Sequence, residues 1–539
     1  NHTECDMKRI QRKYFTAGVL APLSFIALVL LLWAPTGWRV GFIVDGWNAF
    51  LSIEQSSIDR YIVASRPFTH VPWYIAYWLS PGQFVGTNIL TAFLIFAKGW
   101  LCFQIMHQLT EKNVLFSYMV AVLVVLFPAD SGIFYLGALG IHWALFCFLF
   151  SVHLFILYRK KRRLSLLIAA WLMQMLTVGV YEISYVFIAF IPFVLIVFAG
   201  SLFSRQRLRW ITLWYIVPFI SGIWYLFLLV FDSGAVGYQL SLINAAPSQS
   251  SMLTDIFRIY RIHLWDGWNI ENVALNTTHV LFALAAGGVV FFTSYQLGLR
   301  DKEQPLSHKQ LIQLGLVGII TIFLGVLLYL PTSERVSTLR TFYYSSIGAG
   351  LLITVVAWAA SRIAGVYRFI VVAILVGSLA SVATYRLLDQ HRQYWQKSED
   401  QQSLITEMAQ VMGRLEPDTH IVVLDVSANS TIRTLFNSMF FDIVTRLIYQ
   451  DSTLSAALCL SVELRNACSF TQDSFVETAA GKRPLSSPLN TLIVLEYDVS
   501  FQVVDDLTRY GLSDPVGYEP YARMDPNGPI PPRIATMFP

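Results

Sequence analysis

Long hydrophobic runs separated by short polar stretches dominate the first 385 residues of this chain. Each run approaches the roughly 20 residues that an α-helix needs to cross a bilayer. The runs are continuously apolar and do not alternate between polar and apolar positions, which predicts helices rather than membrane β-strands. We therefore predict about eleven transmembrane helices, at residues 15–34, 85–107, 114–129, 133–157, 164–180, 183–201, 211–231, 277–298, 310–331, 341–360 and 369–385.

The charged residues between these runs predict the orientation of the chain. Five consecutive cations, Arg159 to Arg163, follow the fourth run. With the amino terminus in the cytoplasm, the inside segments up to residue 385 hold 18 Lys and Arg against 5 Asp and Glu, and the outside segments hold 7 against 10. This distribution agrees with the positive-inside rule. We therefore expect an integral inner (plasma) membrane protein. Because the number of predicted helices is odd, its carboxyl-terminal region is expected to be extracytoplasmic.

The pattern changes after residue 385. Residues 386–415 place apolar side chains at helical intervals and predict an amphipathic helix. The apolar segments 420–425 and 491–496 predict buried strands, and residues 432–449 predict a helix between them. We therefore expect a transmembrane domain at 1–385, with a long first outer loop at 35–84, and a small extracytoplasmic α/β domain at 386–539 that ends in an extended, proline-rich tail from Asp525.

Composition supports the membrane class and narrows the partners. The chain has 539 residues, of which 55% are hydrophobic and 13% are charged, and this excludes an ordinary soluble protein. The net charge of +4 comes from the inside segments, because residues 386–539 hold 12 basic and 19 acidic residues. The positive balance is therefore a topology signal, and we expect no nucleic-acid partner.

The cysteines form no metal-binding or redox spacing. Cys459 and Cys468 both lie in the predicted outer domain, where a disulfide is chemically permitted, and the sequence leaves a bonded and a free pair equally open. Phosphate-binding glycine loops and serine-nucleophile motifs are absent from the sequence.

The first outer loop carries several polar candidates at its two ends. Asp45 stands beside Trp47 shortly after the first run, where its carboxylate could accept a proton from a hydroxyl or help to hold a metal ion; a solvated turn is the alternative. Arg66 precedes Pro67 where the loop returns to the membrane, and its guanidinium suits a phosphate as well as it suits an interfacial position. His70 opens a predicted short interfacial helix at residues 70–79.

Further ionisable residues fall at the predicted outer ends of later helices. Glu182 is the only acid between Arg163 and Asp232, and at such a depth it predicts either a functional group or a structural pair with an arginine of a neighbouring helix. Arg335 and Arg340 bracket a short outer loop and predict an anionic partner, which is a lipid phosphate or these outer acids.

Three other polar residues have structural interpretations that compete with function. Asp130 in a short outer loop is equally well explained as a helix N-cap. Lys98 within the second run is expected to extend its amine to the cytoplasmic surface. His142 in the fourth run is expected to be a hydrogen-bonded core residue. The second long outer segment, 232–276, is expected to be an irregular functional loop.

An acid in a long first outer loop, an Arg-Pro where that loop re-enters, many spans and an outer α/β domain resemble the type C glycosyltransferase (GT-C) superfamily. Those polytopic enzymes use sugars linked to polyprenyl phosphate. The resemblance covers roughly residues 10–385 and concerns layout rather than a long motif. The family often carries paired acids in its loops, whereas Asp45 has no adjacent acid.

The resemblance implies a role for each candidate. Asp45 is expected to activate the acceptor hydroxyl, and the donor phosphate is expected to contact the arginines Arg66, Arg335 and Arg340. The expected sugar or acceptor site comprises Glu182, Asp130, Trp47 and His70. The metal is unknown, and a divalent cation such as Mg²⁺ or Mn²⁺ is left open.

The function expected from the resemblance is sugar transfer, by an inverting mechanism, from a polyprenyl-phosphate donor to an acceptor at the outer membrane face. The acceptor class, whether glycan, lipid or protein, stays open. Two alternatives remain: a glycan polymerase or ligase of the cell envelope that uses a diphosphate-linked donor, and a non-catalytic scaffold subunit of a larger membrane complex. Membrane lipids are partners under every alternative.

Overall fold

The chain divides into two compact units that interleave along the sequence. Unit 1 comprises Asn1–Trp38, Ile62–Ile75 and Asn88–Arg392, and unit 2 comprises Arg39–Tyr61, Ala76–Thr87 and Gln393–Pro539. Parts of the predicted first outer loop thus belong to the same unit as the carboxyl-terminal domain. The structure is a computed structural model that describes residues 2–38, 40–41, 46–54, 66–110, 113–199, 205–231, 252–271, 273–300, 306–332, 336, 338–427, 432, 435–436, 438–460, 468–477, 485–510, 512, 515 and 517–537.

In the part of the chain that the structure describes, eleven apolar helices occupy the eleven predicted hydrophobic runs. By length and composition, six segments can cross a membrane, one of which extends from residue 342 to 412, and four further apolar helices are shorter. The prediction of a polytopic α-helical membrane protein is therefore confirmed in the described residues. These helices are α1 (His2–Trp33), α4 (Val85–Leu109), α5 (Val114–Val125), α6 (Leu139–Lys161), α7 (Leu164–Val178), α8 (Ser184–Ala199), α9 (Arg205–Phe231), α11 (Thr277–Arg300), α12 (His308–Leu327), α13 (Thr338–Ser361) and α14 (Arg368–Met412).

Small residues bring neighbouring helices into close contact in unit 1. A Cβ placed on Gly318 in α12 would lie 3.0 Å from the carbonyl oxygen of Gly348 in α13. A Cβ on Gly325 would lie 3.0 Å from the backbone nitrogen of Ser345. Glycine at these positions lets the two backbones approach, and such packing drives helix association where lipid removes the hydrophobic driving force.

Five shorter helices complete the α-helices of the described chain. The predicted helix at 70–79 is confirmed, and the predicted helix at 432–449 is confirmed over residues 438–449. The segment 232–276 was expected to be irregular, and this is wrong for residues 252–264, which form a helix because Ile259 and His263 bury one face against Phe342 and its neighbours. The shorter helices are α2 (Gly46–Glu54), α3 (Val71–Leu79), α10 (Met252–Leu264), α15 (Ser438–Tyr449) and α16 (Arg533–Met537).

Unit 2 contains the predicted α/β domain. Its main sheet has the order β3-β2-β7-β8, in which β3, β2 and β7 are parallel and β8 is antiparallel. His420 in β2 pairs with Ser455 and Leu492, and α15 packs on β3. The strands are β1 (Arg414–Leu415), β2 (His420–Asp425), β3 (Ser455–Leu460), β4 (Cys468–Phe470), β5 (Ser474–Glu477), β6 (Leu485–Pro488), β7 (Leu492–Tyr497), β8 (Phe501–Val503) and β9 (Met524–Asp525).

Unit 2 shows the state of the Cys459 and Cys468 pair and the conformation of the carboxyl-terminal tail. Cys459 and Cys468 form a disulfide, which links the end of β3 to β4. The tail from Asp525 was expected to be extended throughout, and this is wrong at its end, where α16 forms. Arg533 in the first turn of α16 makes an ion pair with Glu54 of α2, and this non-local contact has no signature in the local sequence.

Candidate functional site

An ion pair joins two of the predicted site residues at one end of the helices of unit 1. Arg66 donates from Nε to Oε1 of Glu182 and from Nη2 to Oε2, each over 2.7 Å. The side chains are 28% and 19% exposed. A bidentate pair of this kind fixes the plane of the guanidinium as well as its position. It leaves Nη1 and the second N–H of Nη2 outside this contact.

The backbone around the pair holds both partners in place. The N–H of Phe68 donates to the carbonyl of Gly179, just after α7, over 3.0 Å. Gly179 has no side chain, and a Cβ at that position would overlap the ring of Phe68. The segment that carries Arg66 is therefore seated against the turn that carries Glu182, and a larger residue at 179 would separate them.

Two tyrosines surround the ion pair. The guanidinium carbon of Arg66 lies 5.6 Å from the ring centre of Tyr181, and the hydroxyl of Tyr181 hydrogen-bonds to that of Tyr329. Burial acts to lower the pKa of Arg66, the Glu182 carboxylate acts to raise it, and the net effect is a raised pKa. Arg66 is therefore a permanent cation with part of its donor set available to an anion.

A second polar cluster lies in the loop between α5 and α6. Asp130 is fully buried, and its Oδ1 accepts from the N–H of Gly132 over 3.1 Å. Its Oδ2 has no hydrogen-bond partner among the described residues. Burial raises the pKa of Asp130 to about 6, although Lys98 and the Gly132 N–H act to lower it. Asp130 therefore closes a turn on Gly132, and the alternative of a helix N-cap is wrong.

The same cluster changes the interpretation of Lys98 and His142. Lys98 is buried within α4, and its Nζ lies 5.8 Å from the ring centre of Tyr343. The expectation that Lys98 reaches the cytoplasmic surface is wrong, because its side chain is buried beside Tyr343, whose hydroxyl donates to Gly132 in the predicted outer loop. His142 packs against Tyr343 with ring centres 4.1 Å apart, and its Nε2 has no hydrogen-bond partner in the described part of the chain.

The start of α13 contacts both clusters. The hydroxyl of Tyr343 donates to the carbonyl of Gly132 over 3.2 Å, and Tyr344 hydrogen-bonds to Ser184 over 2.7 Å. Ser184 follows Glu182 by two residues. Arg340 is in the first turn of α13, three and four positions before the two tyrosines. Residues at these spacings lie one turn apart, so the helix position of Arg340 is adjacent to the elements of both clusters.

Sequence reasoning assigned Lys98 a structural interpretation only, and it did not single out Tyr343, Tyr344 or Tyr329. A charge within an apolar run is itself a signal of function, and Lys98 deserved that interpretation. The two tyrosines follow Arg340 at helical spacing, which could have marked them. Tyr329 carries no local signal, because its contact with Tyr181 joins positions 148 residues apart.

The structure does not bring every predicted site residue into these clusters. Asp45 and Arg335 lie outside the described residues. Trp47 is fully buried in α2 and packs edge-on against Phe84 with ring centres 5.4 Å apart, so it belongs to the core of unit 2. His70 is half-buried beside Tyr74, and burial lowers its pKa.

The divalent cation stays a prediction. Among the described residues, no group of three or more His, Cys, Asp or Glu side chains is arranged to hold a metal ion. Asp45, the acid that the resemblance connects with a metal, is not among those residues.

The comparisons with known proteins find similar chains among solved structures. No family model and no curated protein matches this chain. Among solved structures, the crystal structure of ArnT from Cupriavidus metallidurans bound to undecaprenyl phosphate matches 80% of this chain and 85% of that one, with 12% identity and a TM-score of 0.38. At this identity and TM-score the likeness fixes neither the family nor the activity of this chain.

Proposed function

We propose that this protein is a membrane glycosyltransferase that moves a sugar from a polyprenyl-phosphate donor to an acceptor at the outer membrane face. The observation that carries the proposal is the Arg66–Glu182 pair, which presents an oriented guanidinium at one end of the apolar helices. A lipid-linked phosphosugar keeps its tail in the bilayer and its charge at the interface. An enzyme for such a donor needs a fixed cation at that level.

Two chemical tasks remain in the reaction. The acceptor hydroxyl must lose a proton as it attacks the sugar, and the departing polyprenyl phosphate must be stabilised. We assign the first task to Asp45, as the resemblance implies. We assign the second to Arg66, Arg335 and Arg340. Glu182 holds Arg66 in the orientation that this task needs, so in this proposal it acts through the arginine rather than on the sugar.

The first experiment tests transfer itself. Purified protein is incubated with a panel of polyprenyl-monophosphate sugars, and the release of polyprenyl phosphate is measured. Asp45→Asn is expected to reduce release at least about 100-fold, because the general base is lost. The matched control is Asp498→Asn, which changes an exposed acid in the turn between β7 and β8. Equal activity in both variants would remove Asp45 as the base.

The second experiment separates the structural and functional roles of the ion pair. Glu182→Gln leaves the partly buried Arg66 without its ionic partner and is expected to cost about 2 kcal/mol of stability. The reciprocal swap, Arg66→Glu with Glu182→Arg, restores an ion pair and should recover most of that loss. Donor turnover is expected to stay low in the swap, because the cation has moved to the other segment.

The control for the swap is the exposed pair Arg261 and Asp266. Exchanging these two residues should change neither the stability nor the donor turnover. Recovery of donor turnover together with stability would show that the Arg66–Glu182 pair is structural only. A protein that turns over diphosphate-linked but not monophosphate-linked donors would favour the glycan polymerase alternative. Co-purifying subunits without any turnover would favour the scaffold.

A further inference from the structure

An ammonium group lies buried within one of the apolar helices of unit 1. Lys98 is in α4 and is 4% exposed, and its Nζ lies 5.8 Å from the ring centre of Tyr343. In the described part of the chain it makes neither a hydrogen bond nor an ion pair. A buried charge needs acceptor atoms around it, because its removal from water is costly. The three N–H donors of Lys98 therefore require an acceptor that these residues do not supply.

Two more polar atoms near Tyr343 have no hydrogen-bond partner among the described residues. They are Nε2 of His142 and Oδ2 of Asp130, and the two residues are 4% and 0% exposed. The His142 ring packs on Tyr343, and the Tyr343 hydroxyl donates to Gly132, whose N–H donates to the other oxygen of Asp130. Buried polar atoms are rarely left unsatisfied, so three of them around one tyrosine indicate a bound molecule.

The charges of this cluster determine which kind of molecule fits it. Lys98 and Asp130 do not pair with each other in the described chain. Burial raises the pKa of Asp130 to about 6, which still leaves a carboxylate at neutral pH. The ammonium would repel a metal cation, and the carboxylate would repel a phosphate. A neutral group suits both if its oxygen accepts from Nζ of Lys98 and its hydrogen is donated to Oδ2 of Asp130, and a hydroxyl does both.

We propose that Lys98, Asp130 and His142 together bind one neutral hydroxyl group, which bridges the Lys98 ammonium and Oδ2 of Asp130. The hydroxyl belongs to a water molecule or to a sugar. Nε2 of His142 donates to the same oxygen or, where the molecule is water, accepts its second hydrogen. A bound water depends on no activity of the protein, whereas a bound sugar rests on the proposed glycosyltransferase function.

The first turns of α13 connect this site to the Arg66–Glu182 pair. Tyr343 contacts Lys98 and His142, and the next residue, Tyr344, hydrogen-bonds to Ser184 over 2.7 Å. Consecutive residues of a helix point about 100° apart, so α13 presents one tyrosine to each cluster. A sugar hydroxyl bound at Lys98 would thus lie on the opposite side of α13 from the contact with Ser184.

The test locates the hydroxyl oxygen directly. A crystal structure of the full-length protein at about 2 Å resolution is expected to show one peak within about 3.2 Å of both Nζ of Lys98 and Oδ2 of Asp130. Lys98→Met keeps an unbranched side chain without the ammonium and is expected to lose the peak. The matched control, Lys309→Met, changes an exposed lysine in the first turn of α12 and should keep it.

Two results from the same crystals would overturn the proposal. One is a direct ion pair between Lys98 and Asp130 with no peak between them. The other is anomalous scattering at the peak after bromide replaces chloride, which would identify a halide ion rather than a neutral group.

A second set of crystals identifies the source of the hydroxyl. Grown with a panel of neutral monosaccharides, they show ring density joined to the peak if the ligand is a sugar, and an unchanged peak if it is water. His142→Phe keeps the aromatic packing on Tyr343, and the occupancy of the peak is expected to fall at least about twofold. An unchanged occupancy would contradict the three-residue site, so the proposal stays testable if Lys98→Met fails to fold. Sugar transfer is not measured here, and a failed site leaves the proposed function standing.

Discussion

Asp130 is a buried carboxyl group, and its burial changes the pH at which it ionises. Burial raises its pKa to about 6, against an ordinary value of 3.8, while Lys98 and the Gly132 N–H only partly oppose the effect of burial. Between these two values the folded chain binds more protons than the unfolded chain. Stability therefore falls as pH rises from about 4 to about 6 and stays lower above that range.

Asp130→Asn removes this ionisation. We expect the variant and the wild type to be similarly stable at pH 4, and the variant to be more stable at pH 7.5 by about 3 kcal/mol. Thermal unfolding of the detergent-solubilised protein at the two pH values measures the difference. The control is Asp498→Asn at an exposed position, where the difference should be within about 0.5 kcal/mol. A gap between Asp130→Asn and the wild type that is equal at both pH values would contradict the assigned ionisation.

The sequence identified several candidate residues but did not show which of them contact one another. The sequence marked Glu182 as a costly acid and offered two interpretations, a functional group or a pair with an arginine of a neighbouring element. It also marked Arg66 as a candidate for phosphate. The structure joins these two residues across 116 positions. A local sequence pattern spans far fewer than these 116 positions. The sequence therefore could not show which residue each of the two would pair with.

Helix packing in unit 1 depends on residues without side chains. In α11, a Cβ on Gly287 would overlap Ser381 of α14 and lie 2.7 Å from the carbonyl oxygen of Gly377. Its neighbour Gly288 has no atom within 4 Å of the same position. The two adjacent glycines therefore face different surroundings, and they form a matched pair for a substitution test.

Gly287→Leu is expected to separate α11 from α14 and to destabilise the protein by about 2 kcal/mol or more, because an overlap with backbone cannot relax cheaply. Gly288→Leu should be within about 0.5 kcal/mol of the wild type, since its side chain meets open space. Thermal unfolding of both variants in the same detergent gives the comparison. Equal loss in the two variants would mean that α11 does not approach α14 as closely as the structure places it.

Whole elements were predicted well where hydrophobicity is continuous. In the described residues all eleven apolar runs form helices, and the two central strands of the carboxyl-terminal domain begin and end within one residue of their predicted positions. The prediction failed at α10 and α16, which are short. Their stability comes from contacts with distant segments, such as His263 with Ser345 over 2.6 Å, rather than from their own apolar content.

At the scale of the whole molecule, the charge distribution predicts one topology that can be tested directly. In a chain with Cys5 replaced by Ser, Asp498→Cys should react with a membrane-impermeant maleimide on intact cells. Lys161→Cys should react only after the cells are permeabilised. Cys102 and Cys147 are buried, and Cys459 is bonded to Cys468, so they contribute little background. Labelling of Lys161→Cys on intact cells would reverse the orientation and move the proposed donor site to the cytoplasmic face.

The order of segments along the sequence did not show how the chain divides into two units. The predicted domains followed one another at residue 385. In the structure, unit 2 also includes residues 39–61 and 76–87, nearly all of which belong to the predicted first outer loop. The Arg533–Glu54 ion pair is one contact that makes this grouping, and it joins positions 479 residues apart. Domain membership here depends on such contacts rather than on a linker that composition could reveal.

The sequence by itself determined the membrane class, the positions of the eleven helices described in the structure and the α/β character of the carboxyl-terminal domain. These properties follow from hydrophobicity and charge, which accumulate locally along the chain. Only the tertiary structure decided that Arg66 meets Glu182, that Lys98 packs on Tyr343 rather than reaching the surface, and that two arginines contact the ring of Trp210. Each of these is a pairing of distant residues, and its geometry depends on how the helices pack against one another.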